Sequence, residues 1–171
     1  MKKQIRLRML VTVALLTAME IVLEKFCGIN TLGMKIGFGF VPVAVAAMLY
    51  GAIGGGIVGG VGDLIGSLLF PTGTYFPGFT VTAILCGVVW SLFLRHKDDK
   101  YPVRVLVPTL INNLIFGLCI NTFFITLIAG KKTYFAWFVA RLPEYAVMIP
   151  LTLVLVPVFE RIVGTIVKQK N

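Results

Sequence analysis

Long apolar runs, each closed by a short polar interruption, set the rhythm of this chain. The runs cover approximately residues 9–26, 36–51, 53–70, 78–95, 103–129 and 141–167. A helix needs about 17–20 mainly apolar residues to cross the hydrocarbon core of a bilayer, so the pattern predicts six membrane spans. The interruptions are turn-like: "CGIN" after the first run, "YGAIG" between the second and third, "PTGTYFPG" before the fourth, "RHKDDKYP" before the fifth and "AGKKTYF" before the sixth. The second and third runs are joined so tightly that five helices plus one re-entrant element is the alternative. No linker, repeat or soluble segment divides the chain, and residues 1–171 read as a single membrane domain.

The third run contains "GGGIVGGVGDLIGS", residues 54–67. Gly55, Gly59, Gly62 and Gly66 recur at helical spacing and form one stripe; Gly56, Gly60, Asp63 and Ser67 form the next. In lipid, helices associate by close packing, which small residues permit, so the glycine stripe predicts a helix-packing seam. The GxGxxG match at Gly54, Gly56 and Gly59 lacks the preceding strand and the later acidic residue that a dinucleotide site requires.

Composition agrees with the pattern. The chain is 58% apolar and 13% charged, against roughly 25% charge in a soluble domain; this excess of apolar side chains has lipid, not water, as its solvent. The net charge of +9 does not point to nucleic acid, because the basic residues lie between apolar runs rather than on a polar face. They report topology instead. Placing both termini on one side gives that side Lys2, Lys3, Arg6, Arg8, Arg95, Lys97, Lys100, Arg104, Arg161, Lys168 and Lys170, eleven in all, against five (Lys25, Lys35, Lys131, Lys132 and Arg141) on the other. The positive-inside rule then puts both termini in the cytoplasm. The basic start followed by an apolar run resembles a secretion signal, but the run is long enough to span and no small-residue cleavage site follows, so it is expected to remain as the first helix.

Acidic residues inside apolar runs stand out, because a charge at the centre of a membrane helix costs about 2.5–3.5 kcal/mol on insertion scales. Asp63 falls in the outer half of the third run. Glu20 and Glu24 share a stripe with Thr17 near the outer end of the first, Asn121 lies in the outer half of the fifth, and Arg141 and Glu144 open the sixth three residues apart. Their common depth predicts a polar cavity open to the outside. Around it, the outer loops offer Lys35, Tyr75, Phe76 and Lys131. On the first helix, Ala14 and Ala18 form a small-residue pair turned away from the Glu20 stripe. Pro150 and Pro157 predict kinks in the sixth helix.

Other chemistries are poorly supplied. Cys27, Cys86 and Cys119 have no metal-ligand or CxxC spacing, and the single histidine, His96, lies in a charged loop. No metal or cofactor is expected, no nucleophile–base pair is evident, and without a GxxxxGK[ST] loop the chain does not hydrolyse ATP by itself.

The segment "GFGFVPVAVAAMLYGAIGGGIVGGVGDLIGSLLFPTGTYFPGFTVTAILCG" resembles the folate family of substrate-binding S components of energy-coupling factor (ECF) vitamin transporters. The Ala14/Ala18 pair and six spans with cytoplasmic termini fit the same resemblance. It implies a six-helix S-component-like bundle in the bacterial cell membrane, with no enzymatic activity of its own. It implies as partners folate or a related vitamin, a transmembrane scaffold subunit that docks at Ala14 and Ala18, and two ATPase subunits that use ATP. On this resemblance, Asp63 and Glu20 pair with the pterin, Tyr75 and Phe76 stack on it, and Lys35, Lys131 and Arg141 meet its anionic tail, with Asn121 and Glu144 completing the site. An S component for pantothenate or hydroxymethylpyrimidine, a stand-alone carrier and an intramembrane enzyme are the alternatives.

Overall fold

In a computed structural model of the chain, residues 2–31, 34–71, 73–95, 103–130 and 133–168 are described. Helix α1 (Lys2–Lys25) leads into a short antiparallel hairpin of β1 (Ile29–Thr31) and β2 (Met34–Ile36), in register Ile29 with Ile36 and Thr31 with Met34. Then follow α2 (Phe40–Leu69), α3 (Pro77–Arg95), α4 (Val103–Leu110), a π-helical stretch (Ile111–Ile120), α5 (Asn121–Ala129) and α6 (Tyr134–Lys168). The expected all-α architecture therefore carries one small β element. Ile29, Thr31, Met34 and Ile36 suit paired strands, and the following helix starts at Phe40 rather than at residue 36.

Helix α2 is two limbs folded on each other at Gly51, whose φ of 74° and ψ of −157° are open essentially to glycine alone. The limbs run antiparallel: a Cβ built at Gly55 would lie 2.9 Å from the Ala47 methyl, and one at Gly59 3.7 Å from Val43. These limbs are the second and third apolar runs of the sequence. Among the described residues, four helical stretches are long and apolar enough to cross a membrane: Phe40–Leu69, Pro77–Arg95, Val103–Ala129 and Tyr134–Thr165. The first limb, Phe40–Tyr50, spans about 16 Å at 1.5 Å per residue, roughly half the hydrocarbon thickness.

The glycine stripe is the predicted seam, and it serves two neighbours. A Cβ at Gly55 would stand 2.6 Å from the Gly87 carbonyl oxygen, and one at Gly59 2.6 Å from that of Ala83, so α3 lies backbone to backbone against α2. Further out, Gly62 and Gly66 face Glu20 and Ile21 of α1. Side chains at Gly55 or Gly59 would meet the α3 backbone and push the helices apart in a medium where packing supplies most of the association energy, whereas at Gly62 and Gly66 they would meet the Glu20 and Lys25 side chains.

On α1, Val13, Leu16, Thr17 and Glu20 are buried, the i, i+3, i+4, i+7 stripe of a helix packed on one side. Ala14 and Ala18 lie on the exposed side with Leu7, Leu10, Val11 and Leu15. The apolar core, built on Val43, Ala46, Ala47, Val58, Trp90 and Val156, joins both limbs of α2 to α3 and α6. At one end of the bundle, Arg104 of α4 donates to the Leu94 carbonyl of α3 at 3.0 Å and pairs with Glu160 of α6. The Arg95 guanidinium lies against Gly51 at that same end. At the other end, Phe26 and Phe70 meet edge to face, with centroids 5.0 Å apart. Helix α6 continues as a helix through Pro143, Pro150 and Pro157.

Candidate functional site

A cavity of about 270 Å³ lies between α1, both limbs of α2, α3, the π-helical stretch and α6. Each wall follows from a local feature of the sequence.

The α1 wall carries two carboxylates one turn apart, Glu20 and Glu24. Each rests where glycines leave room. A Cβ at Gly62 would collide with the Glu20 carboxylate, and one at Gly37 with that of Glu24. The Gly39 amide also donates to Glu24 Oε2 at 3.4 Å. Glu20 is 7% exposed, so its carboxylate is held deep against the α2 backbone.

Asp63 enters from the second limb of α2. The Thr80 hydroxyl of α3 donates to Asp63 Oδ2 at 2.7 Å, and Tyr75 Oη lies 3.0 Å from the same hydroxyl. A chain of polar contacts thus runs from the loop after α2, through the first turn of α3, to a carboxylate on the cavity wall.

The opposite wall depends on the π-helical stretch. Its wider turn keeps residues four to five apart on one face, and Asn112, Gly117 and Asn121 all border the cavity, with Asn113 beside them. Asn113 Nδ2 donates to the Thr109 carbonyl at 2.9 Å. Asn112 Nδ2 donates to the Cys86 carbonyl of α3 at 3.3 Å. Asn121 Oδ1 lies 2.9 Å from the Thr82 hydroxyl. Gly117 gives the Tyr145 ring its place: a Cβ there would sit 2.6 Å from the ring.

Helix α6 supplies a closed ionic unit. Arg141 donates through Nε and Nη2 to the two oxygens of Glu144 at 3.2 and 3.1 Å. Nη2 also donates to Tyr145 Oη at 2.8 Å, and Nη1 to Thr122 Oγ1 at 3.2 Å. With Glu144 5% exposed, the two-pronged pair within α6, the geometry that holds a guanidinium most firmly, aims Arg141 Nη1 at Thr122 and so braces α6 against α5.

Of the residues expected from sequence, Glu20, Asp63, Asn121, Arg141 and Glu144 border this one cavity. Tyr75 and Phe76 do not. Tyr75 reaches it only through Thr80, and Phe76 packs on Phe79 and Phe124 at centroid distances of 6.3 and 5.1 Å. The aromatic residues at the cavity are Phe40, Trp90 and Tyr145. Lys35 pairs through its backbone with Asn30 in the hairpin, and Lys131 lies outside the described residues. Sequence reasoning passed over Asn112 and Asn113, although two amides inside an apolar run carry the same signal that singled out Asp63. Among the described residues, no three His, Cys, Asp or Glu side chains stand where they could share a metal ion.

Comparison with known proteins places this geometry. Residues 8–159 match the family described as "ECF transporter, substrate-specific component". The chain is 36% identical over 146 residues to a folate transporter FolT of Clostridium novyi (strain NT), covering 85% of this chain and 84% of that one. A FolT of Leuconostoc mesenteroides subsp. mesenteroides is 25% identical over 148 residues, 84% of this chain and 80% of that one. A crystal structure of FolT bound with folic acid superposes with a TM-score of 0.75 at 31% identity, covering 85% of this chain and 86% of that one. The S component of a bacterial ECF transporter shares the fold at a TM-score of 0.57 and 17% identity, over 96% and 95% of the two chains.

Proposed function

Because the chain belongs to the family of substrate-specific components of ECF transporters, we propose that it captures folate from outside the cell and hands it to an ATP-driven import complex. It is a transport component and not an enzyme. The observation that carries the folate reading is the carboxylate-bordered cavity, set in a fold shared with a FolT that was crystallised with folic acid.

The chemistry of the walls suits the ligand. A pterin presents an amino group and a ring N–H side by side, and one carboxylate accepts both as it would two guanidinium N–H groups. Asp63 and Glu20 are the carboxylates for that pairing. Trp90, Phe40 and Tyr145 are the rings beside which the flat heterocycle packs. Arg141 braces the wall, since its donors are already spent on Glu144, Tyr145 and Thr122. The anionic tail falls to Lys25 on the cavity wall and to the loop lysines Lys35 and Lys131, with Asn121 and Glu144 as flanking polar wall.

The chain has six membrane segments, the first limb of α2 reaching about half-way through the bilayer from its Gly51 end, with both termini in the cytoplasm of a bacterium. The end bearing Arg95, Arg104 and Gly51 is the cytoplasmic one, and the cavity opens at the other. The exposed Ala14–Ala18 face of α1 is where a scaffold subunit docks, and two ATPase subunits power uptake.

Titration calorimetry on the purified chain tests this reading. Folic acid is expected to bind in the nanomolar range, with pantothenate and hydroxymethylpyrimidine not binding. Tight pantothenate binding without folic acid binding overturns it. Uptake into liposomes by this chain alone would overturn the dependence on ATPase partners.

A further inference from the structure

Asn112 is 9% exposed and borders the cavity. Its amide has two ends with different fates. Nδ2 is committed to the Cys86 carbonyl at 3.3 Å, which fixes the orientation of the group and leaves Oδ1 as the acceptor. Oδ1 is buried with no hydrogen-bond partner. A buried acceptor left empty costs about 1–3 kcal/mol, and native structures keep few of them without a purpose. The local backbone adds to the oddity. Asn112 sits at the start of the π-helical stretch, and π-helical turns in otherwise α-helical segments concentrate at functional sites.

We infer that Asn112 Oδ1 is the specificity-determining acceptor of the cavity, reading an N–H of the bound heterocycle's exocyclic amino group. This deepens the folate reading and rests on it. When a carboxylate pairs with the amino group and the adjacent ring N–H, it uses one of the two amino hydrogens. The second hydrogen enters a low-dielectric wall and needs an acceptor of its own. At the neighbouring amides, Asn121 Oδ1 accepts from the Thr82 hydroxyl, and Asn113, whose Nδ2 donates to the Thr109 carbonyl, presents no oxygen that is both buried and unpartnered. Asn112 is the cavity amide whose oxygen is buried and still open. A site built to accept such a hydrogen rejects the analogue that lacks it, because its acceptor is then left unpaired.

The test compares folic acid with its analogue carrying hydrogen in place of the exocyclic amino group, by calorimetry on the full-length protein. The wild type is expected to prefer folic acid by about a hundredfold, since both a carboxylate contact and the Asn112 contact are lost in the analogue. Asn112→Leu, similar in volume, is expected to weaken folic acid binding about tenfold or more and to leave the analogue nearly unchanged, narrowing the preference. Asn112→Ser, which withdraws the acceptor without adding bulk, is expected to behave alike and decides the matter if the leucine variant is not monodisperse. Equal loss of both ligands in the leucine and serine variants, or no loss of either, overturns this inference while leaving the folate reading in place. Absence of folic acid binding by the wild type sinks both.

Discussion

Thr80 donates its hydroxyl hydrogen to Asp63 Oδ2 at 2.7 Å, across the contact between the second limb of α2 and the first turn of α3. With one oxygen of the carboxylate held in this way, the side chain has a preferred orientation, and the Tyr75 hydroxyl at 3.0 Å from Thr80 continues the chain to the outer loop. Thr80→Val keeps the shape and removes the donor. The expected outcome is a folded protein whose folic acid affinity falls about fivefold to tenfold, the worth of one hydrogen bond of about 1 kcal/mol. Thr80→Ser is expected to restore wild-type affinity. In a background already carrying Asp63→Asn, which itself weakens binding, the Thr80→Val effect is expected to shrink, as calorimetry on the double-mutant cycle will read.

Gly62 and Glu20 form a second matched pair. No Cβ fits at Gly62 while the Glu20 carboxylate stays where it is. Gly62→Ala is therefore expected to displace that carboxylate into the cavity and to lower folic acid affinity at least tenfold. Alanine is the better helix former by about 1 kcal/mol, which partly offsets the lost packing, so thermal stability is expected to move much less than affinity. A fluorescence melting curve beside a binding isotherm separates the two effects.

How far these relationships are readable in the sequence depends on which physical rule governs each residue. The glycine seam and the cluster of Glu20, Asp63, Arg141 and Glu144 follow from two robust constraints: helical periodicity and the cost of charge in lipid. The polarity of Asn112 inside an apolar run is readable, but its place on the same wall as Gly117 is not, because the stretch is π-helical. On an ordinary helix of 100° per residue, Asn112 and Gly117 point about 140° apart, so nothing in the α-helical pattern puts them on one wall. Tyr75 and Phe76 read as stacking groups from their place in an aromatic loop. The structure ties Tyr75 to Thr80 and Phe76 to Phe79 and Phe124, choices set by tertiary contacts with helices elsewhere in the chain. The β-hairpin merges into an apolar run because Ile36 continues directly into the hydrophobicity of α2, though Thr31 and Ile29 favour strands.

Ala14 and Ala18 lie on the exposed face of α1, on the side away from buried Thr17 and Glu20. Replacing both with Trp blocks close approach of another helix on that face and leaves the cavity wall intact. Uptake by the reconstituted complex is expected to fall to background, while folic acid binding to the isolated chain stays within about twofold of wild type. Surviving assembly and uptake would remove this face from the docking surface.

Arg104 and Glu160 tie α4 to α6 beside the Leu94 carbonyl, with side-chain exposures of 11% and 23%. Removing one partner of a largely buried pair strands the other, a larger loss than the pair's net worth. Arg104→Gln is expected to cost about 1–3 kcal/mol, read as a lowered melting temperature in detergent. Folic acid affinity of the folded fraction is expected to be unchanged, because the pair sits at the end of the bundle away from the cavity mouth.

Gly51 is the sharpest demand the fold makes on one residue. Its φ of 74° and ψ of −157° lie in a region that costs any side-chain-bearing residue about 1–3 kcal/mol, and a Cβ there would also meet the Arg95 guanidinium. One methyl group thus carries two separable penalties. Gly51→Ala is expected to lower the melting temperature strongly, and pairing it with Arg95→Ala is expected to recover the steric share while leaving the backbone share in place. Should Gly51→Ala alone melt like the wild type, the two limbs of α2 do not reverse at this residue, and the cavity wall formed by Val43 and Gly59 across that reversal would have to be redrawn.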